Sequence, residues 1–270
     1  MLTAAELALE AKKIRKIILK MIAKSKSSHI GTCFSIVDIL AVLYNNILSI
    51  SSPHDPNRDI FILSKGHGAV ALYATLASRG FFDMEILETY AQDGSKLAGH
   101  VIKDCLPGVE ATTGSLGHGL SLTAGFALAN TKNERRFYTI LGDGECNEGS
   151  VWEAVNFAHQ FKLGHLTAIV DMNKQQCIGN TAEIMNMDNM AERWRACGWE
   201  TIELDGHNYD ELQKALAYSH GPRDASKPLA IIAHTVKGKG VSYMEDKLEW
   251  HYKFPNEEQL QQAIAEIDSI

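Results

Sequence analysis

The sequence predicts a doubly wound α/β domain with a mainly parallel sheet flanked by helices, and three observations carry that prediction. Five strand-like runs, at 60–63, 137–141, 166–171, 200–204 and 229–234, are short and apolar, as strands covered on both faces should be. Helical stretches such as 119–129, 151–161, 190–197 and 209–219 lie between or beside them. Two of the runs end in oxygen-bearing residues: Phe137-Tyr138-Thr139-Ile140-Leu141 leads into Gly142-Asp143-Gly144, and Leu166-Thr167-Ala168-Ile169-Val170-Asp171 leads into Met172-Asn173.

Taken in order, helical periodicity covers 4–23, where Glu6, Glu10, Lys12, Lys13, Arg15 and Lys16 are scattered among apolar residues. That pattern suits an amphipathic helix and not a signal peptide. Periodicity resumes over 35–48 and is broken by Ser51-Ser52-Pro53-His54-Asp55-Pro56-Asn57. Strands and helices then alternate to a closing helix at 257–270. No repeat, low-complexity tract or compositional break divides the chain, so residues 1–270 are expected to form one domain.

Composition limits the partners. With 45% hydrophobic residues the chain can build a core, and a net charge of −7 gives no reason to expect nucleic acid or acidic membrane. No stretch is long enough to span a bilayer, and a cytoplasmic location is expected. The five cysteines (33, 105, 146, 177 and 197) show no CxxC or His-interleaved spacing, so reduced thiols are expected.

The strand ends carry the chemistry. In an open parallel sheet the carboxyl ends of neighbouring strands line one crevice, where Asp143 and Asn173, 30 residues apart, can meet around a single hard cation. Mg²⁺ suits an oxygen set in which diphosphate and water complete an octahedron. Gly142 and Gly144 let the backbone approach such a diphosphate, and the amino end of a helix beginning near Ser150 is expected to face it. A Gly-Asp-Gly alone is as readily a turn; the matching strand end at Asn173 favours the metal reading.

This pattern resembles the cofactor motif of thiamine diphosphate enzymes. The blocks Ser28-His29-Ile30-Gly31, Leu63-Ser64-Lys65-Gly66-His67-Gly68, Gly99-His100, Leu106-Pro107-Gly108-Val109-Glu110, Thr113-Gly114-Ser115-Leu116-Gly117 and Trp250-His251 are similar, in order, to those of the transketolase family. The resemblance implies thiamine diphosphate with Mg²⁺, or Ca²⁺ or Mn²⁺ in its place, held through Asp143, Asn173 and the main-chain carbonyl of Gln175. It implies cofactor contacts from His67, Gly114, Ser115, Leu116, Gly142, Asp143, Gly144, Glu145, Asn173 and His251. His29, His67, His100 and His251 become the catalytic candidates.

Ketol transfer explains such a cluster, because imidazoles can donate to a developing oxyanion and accept a proton near neutral pH. His100 and His29 are assigned to the donor's carbonyl and hydroxyl oxygens. His67 and His251 are assigned to the diphosphate end and proton handling, with His251 as the acid-base residue. Glu148 resembles a subunit-interface glutamate, while an acidic residue before a helix also fits dipole capping. Residues 114–116 read as a cofactor loop, or as a helix start capped by Thr113 or Ser115. Gly117-His118-Gly119 departs from the Gly-Gln-Gly of many full-length members. Lys237-Gly238-Lys239-Gly240 resembles a family segment leading toward His251; as a bare Lys/Gly turn it is unremarkable, and it is assigned no catalytic role.

A complete chain of that family also carries a pyrimidine-binding and a C-terminal domain, and 270 residues hold only the first. The resemblance therefore implies an N-terminal subunit whose partner chain supplies both, as an α2β2 heterotetramer acting on sugars and inactive alone. Two alternatives stand beside it: an E1-type component of a 2-oxoacid dehydrogenase, against which the four histidines count, and a non-catalytic diphosphate-binding module.

Overall fold

The computed structural model describes residues 1–131 and 134–270. Its first helix, α1 (Ala4–Ser25), starts where Thr3 and Glu6 form a reciprocal capping box and stops where Lys26 turns left-handed at φ 54°. Leu7, Ala11, Ile14, Ile18 and Ile22 bury one stripe of it, as the spacing predicts. The helix expected over 35–48 is instead α2 (Ile30–Ser35), α3 (Val37–Val42) and a π turn at Leu43–Ile47. Ile36, at φ −103° and ψ 0°, breaks the ladder. Both helices are buried on every side, so tertiary contacts and not an amphipathic period set their limits.

Strand β1 (Ile60–Leu63) is followed by α4 (Ala69–Ser78), in which every residue but Ser78 is buried. A helix with no polar face gives no period to read, and α4 is not among the helices that the sequence pattern singles out. Next come α5 (His118–Ala129), β2 (Phe137–Gly142), α6 (Gly149–Gln160), β3 (Leu166–Met172), α7 (Thr181–Ile184) and α8 (Met190–Ala196). The chain closes with β4 (Glu200–Asp205), α9 (Tyr209–Tyr218), β5 (Leu229–His234) and α10 (Glu257–Ser269). All five expected strands form.

The sheet order is β1-β2-β3-β5-β4, and every pairing is parallel. Alternate side chains point to opposite faces. Tyr138, Ile140, Ile169 and Ile231 join the core beneath α1 to α4, α9 and α10, whereas Phe137, Leu141, Val170 and Ile232 face α5, α6 and α8. On the outer side of this second layer Leu122, Phe126, Phe157 and Phe161 remain exposed. Among the described residues no helix is long and apolar enough to cross a membrane. Parallel pairing places the carboxyl ends of β1, β2, β3 and β5 along one edge, and the loops leaving that edge build the site.

Candidate cofactor and active site

A cleft of about 270 Å³ opens at this edge. Asp143 and Asn173, leaving adjacent strands, both line it and are both buried, at 2% and 6% exposure. Asp143 Oδ1 accepts from Gly144 N–H (2.7 Å), and Oδ2 accepts from Lys174 N–H (2.5 Å) and Thr181 Oγ1 (3.3 Å). Asn173 Oδ1 accepts from Gln175 N–H at 3.0 Å. Burial, with the charge of nearby Asp171, pushes Asp143 up to about 6.

The donor set fits a metal bound jointly with a ligand. Among the described residues no three His, Cys, Asp or Glu side chains are placed to hold an ion. A cation here would depend on one carboxylate, one amide, main-chain oxygen and the oxygens of a bound group, the pattern of Mg²⁺ diphosphate sites. Two polar atoms of the lining loop, Gln175 Oε1 and Gln176 Nε2, are buried without a hydrogen-bond partner among the described residues. Orphan groups of this kind are expected where a polar ligand or water completes the site.

Above the strand ends the four expected histidines converge, although 29, 67, 100 and 251 are far apart in sequence. The His29 ring centre lies 5.5 Å from His67, 5.6 Å from His100 and 5.1 Å from His251, and His67 and His251 are 5.8 Å apart. His29 sits at φ 77°, with its N–H donating to the His251 carbonyl at 2.9 Å. Burial, then neighbouring His100 and Lys237, lowers His29 to about 4; burial and Lys237 lower His251 to about 3. Burial and Lys65 likewise hold His67 well below the ordinary range. These three rings are therefore neutral near pH 7.

Two lysines to which the sequence pattern assigns no role complete the cleft. Lys65, two residues past β1, is fully buried and paired with Asp171, which also accepts from Thr235, from Ser35 (2.7 Å) and from Asn173 Nδ2 (3.0 Å). Burial opposes ionisation of Asp171, but the Lys65 charge and these hydrogen bonds outweigh it and hold the carboxyl low. Lys237 is no solvated turn residue: it is 1% exposed, lines the cleft, and points Nζ at His251 Nδ1 (3.1 Å) and the Gln176 carbonyl (3.3 Å). Burial and Lys65 bring it down to about 8. An ammonium only donates, so His251 Nδ1 accepts and the neutral ring carries its proton on Nε2. Both lysines follow strand ends, so the signal that marks Asp143 and Asn173 is present for them too.

Other expected residues are placed less directly. Gly114 and Leu116 line the cleft, whereas Ser115 is exposed and does not. Glu145 lines it as well, but its oxygens accept from Ser64 Oγ and from the amides of Gly117 (2.9 Å) and Gly142 (3.0 Å), so it braces three loops. Neither Thr113 nor Ser115 caps α5: Gly117, at φ 82°, is the cap residue, and the Thr113 hydroxyl donates to the Leu63 carbonyl at 2.6 Å. Gly66 is required by crowding, because a Cβ there would lie 2.4 Å from the Thr113 carbonyl oxygen. A one-turn segment, Gly144–Asn147, stands between Asp143 and helix α6, and its Gly144 and Glu145 line the cleft while no residue of the first turn of α6 does. Glu148 precedes α6, is exposed, and makes no capping hydrogen bond. His118 is exposed outside the cleft, its ring against the Leu116 carbonyl.

A strand-edge cleft with the oxygens of Asp143 and Asn173 below and a cluster of histidines above is the candidate site of an α/β domain. Residues 7–265 match the family described as transketolase, thiamine diphosphate binding domain. The chain belongs to the transketolase family. It is 42% identical over 264 residues to a chain of the 6-deoxy-6-sulfo-D-fructose transketolase of Clostridium sp., covering 96% of this chain and 95% of that one. With one of the chains that make up the apulose-4-phosphate transketolase of Phocaeicola vulgatus it shares 39% over 268 residues, covering 97% and 93%. The solved transketolase from Leishmania mexicana superposes with a TM-score of 0.89 at 30% identity, over 99% of this chain but 42% of that polypeptide.

Proposed function

We propose that this chain is the thiamine diphosphate-binding subunit of a two-chain transketolase, which moves a two-carbon ketol unit from a ketose to an aldose. The observation that carries the reading is the convergence of His29, His67, His100 and His251 above Asp143 and Asn173. Thiamine diphosphate, when bound, supplies the carbon nucleophile and electron sink for breaking the bond beside a ketose carbonyl. Asp143, Asn173 and the Gln175 carbonyl hold Mg²⁺, or Ca²⁺ or Mn²⁺, at the diphosphate. Gly114, Leu116, Gly142, Gly144 and His67 line the cofactor, and Glu145 holds the lining loops.

His29 and His100 meet the donor's carbonyl and hydroxyl oxygens. His251, with its proton on Nε2, donates there to a developing oxyanion, and recovers that proton as the product forms. Lys237 keeps the ring in this tautomer. A partner chain, in an α2β2 assembly with Glu148 at the interface, supplies the pyrimidine side of the cofactor and the groups that select the sugar. Relatives named for apulose-4-phosphate and for 6-deoxy-6-sulfo-D-fructose support a donor with an anionic end. The five free cysteines favour a cytoplasmic setting.

The deciding experiment is native purification with intact-complex mass spectrometry, followed by assay of the reconstituted complex. Ketol transfer between sugars supports the reading; decarboxylation of a 2-oxoacid instead would establish the E1-type alternative.

A further inference from the structure

We propose that Asp38 and His207 form a positioning pair that fixes Lys237 in the cleft, an inference that rests on reading the cleft as the thiamine diphosphate site. Lys237 extends from a turn in which Gly238 and Gly240 sit at φ 80° and 93°, the Lys239 N–H donates to the Val236 carbonyl at 3.2 Å and the Gly238 N–H donates to the Gly31 carbonyl at 2.9 Å. The turn is clasped from outside. On one side of Lys237, Val236 N–H donates to His207 Nε2 at 2.8 Å; on the other, the Lys239 carbonyl accepts from Arg15 Nε at 3.1 Å.

Both clasps are organised by one carboxylate. Asp38, 3% exposed, lies 2.7 Å from His207 Nδ1 and accepts from Arg15 (2.9 and 2.6 Å) and from the Tyr209 hydroxyl (2.6 Å). A backbone N–H can only donate, so His207 Nε2 must accept and its proton must sit on Nδ1, given to Asp38. The arrangement has the logic of a carboxylate–histidine pair behind a metal ligand, with a backbone amide in the metal's place. Neither Asp38 nor His207 lines the cleft. The network ends on the main chain at Val236, next to the lysine, and at Lys239, two residues beyond it.

The test measures thiamine diphosphate dissociation constants, at saturating Mg²⁺, for the chain reconstituted with its partner. His207→Leu is expected to weaken binding about tenfold, the lower range for a lost supporting residue, and His207→Gln, which keeps an acceptor for Val236, to recover most of it. In a Lys237→Met background, His207→Leu should add less than about twofold, because its effect passes through the lysine. An undiminished loss in that background, or wild-type affinity for His207→Leu, overturns the inference.

Two readouts on the chain alone keep the test independent of the cofactor. Hydrogen exchange of the Val236 amide should quicken about tenfold in His207→Leu and slow again in His207→Gln, and unchanged exchange argues against the clasp. In the wild-type chain, ¹⁵N shifts should report a neutral His207 protonated on Nδ1 at pH 7.5; any other form overturns the proposal even if the leucine variant fails to fold. Failure of the wild-type complex to bind thiamine diphosphate would refute the functional reading and leave the exchange result standing.

Discussion

The two pairs of strand ends that bound the cleft are made in opposite ways. At β2 and β3 the functional groups are oxygens, Asp143 and Asn173, each within a residue of its strand and held by nearby amides. At β1 and β5 they are cations, Lys65 and Lys237, whose partners come from distant segments: Asp171 for one, His251 and Gln176 for the other. The first pair is a local motif that any parallel sheet could display. The second exists only once the whole domain has closed, and its charges add to burial in keeping His29, His67 and His251 neutral.

The sharpest way to break this contrast is at the oxygen pair. Asp143→Ala or Asn173→Ala should abolish Mg²⁺-dependent thiamine diphosphate binding in the reconstituted complex while leaving the fold intact; unchanged affinity by calorimetry would remove the metal assignment. At the cation pair the larger effect falls on folding. Lys65→Met strands Asp171 as a buried anion and should cost about 3–5 kcal/mol in urea unfolding. A loss below about 1 kcal/mol, the scale of an exposed pair, would mean that the buried ion pair does not matter.

His251→Ala should leave the cofactor bound and slow turnover by about 10²-fold, the usual scale for a lost proton-handling group. Wild-type turnover would strike it from the catalytic set.

Acid gives a further, gentler separation. His29 and His251 titrate at about 4 and about 3 in the folded chain, against about 6.5 when unfolded. Below pH 6.5 the unfolded chain binds more protons, so their contribution to stability is complete above 6.5 and is lost progressively toward pH 4. The urea midpoint should fall between pH 7 and pH 5, and fall less in His251→Gln; equal slopes would show that the cleft rings are not held neutral. The smallest effect is expected at Glu148→Ala, with stability within about 0.5 kcal/mol of wild type and a weaker association of the two chains by sedimentation.

The same contrast explains what the sequence discloses. Strands β1, β2, β3 and β5 are legible because apolar runs mark strands covered on both sides, whereas β4 lies at the sheet edge with polar residues between its apolar ones, and the Asp143 and Asn173 pair is legible because it follows two strands directly. The histidines become legible only through resemblance, since no spacing links 29, 67, 100 and 251. Helix α4 stays hidden for want of a polar face, and the break at Ile36 because contacts made in the folded core place it. Lys65 and Lys237 draw no role from the sequence pattern, since the residues that meet them in the fold, Asp171 and Gly31, are remote in sequence. Glu145 illustrates the converse: expected on the cofactor, it spends its oxygens on Ser64, Gly117 and Gly142.

His29 carries a consequence for how variation at this site is to be weighed. Its backbone is left-handed, a conformation that β-branched residues scarcely tolerate and that Asn accepts. Selection at position 29 is therefore twofold, on the imidazole and on the main chain, and a lineage that had dispensed with the ring would still be steered toward Asn or Gly. Invariance there would not by itself prove catalysis, and replacement by Ala would mix a chemical loss with a conformational one. Asn, which keeps the turn and removes the imidazole, is the substitution that separates the two pressures.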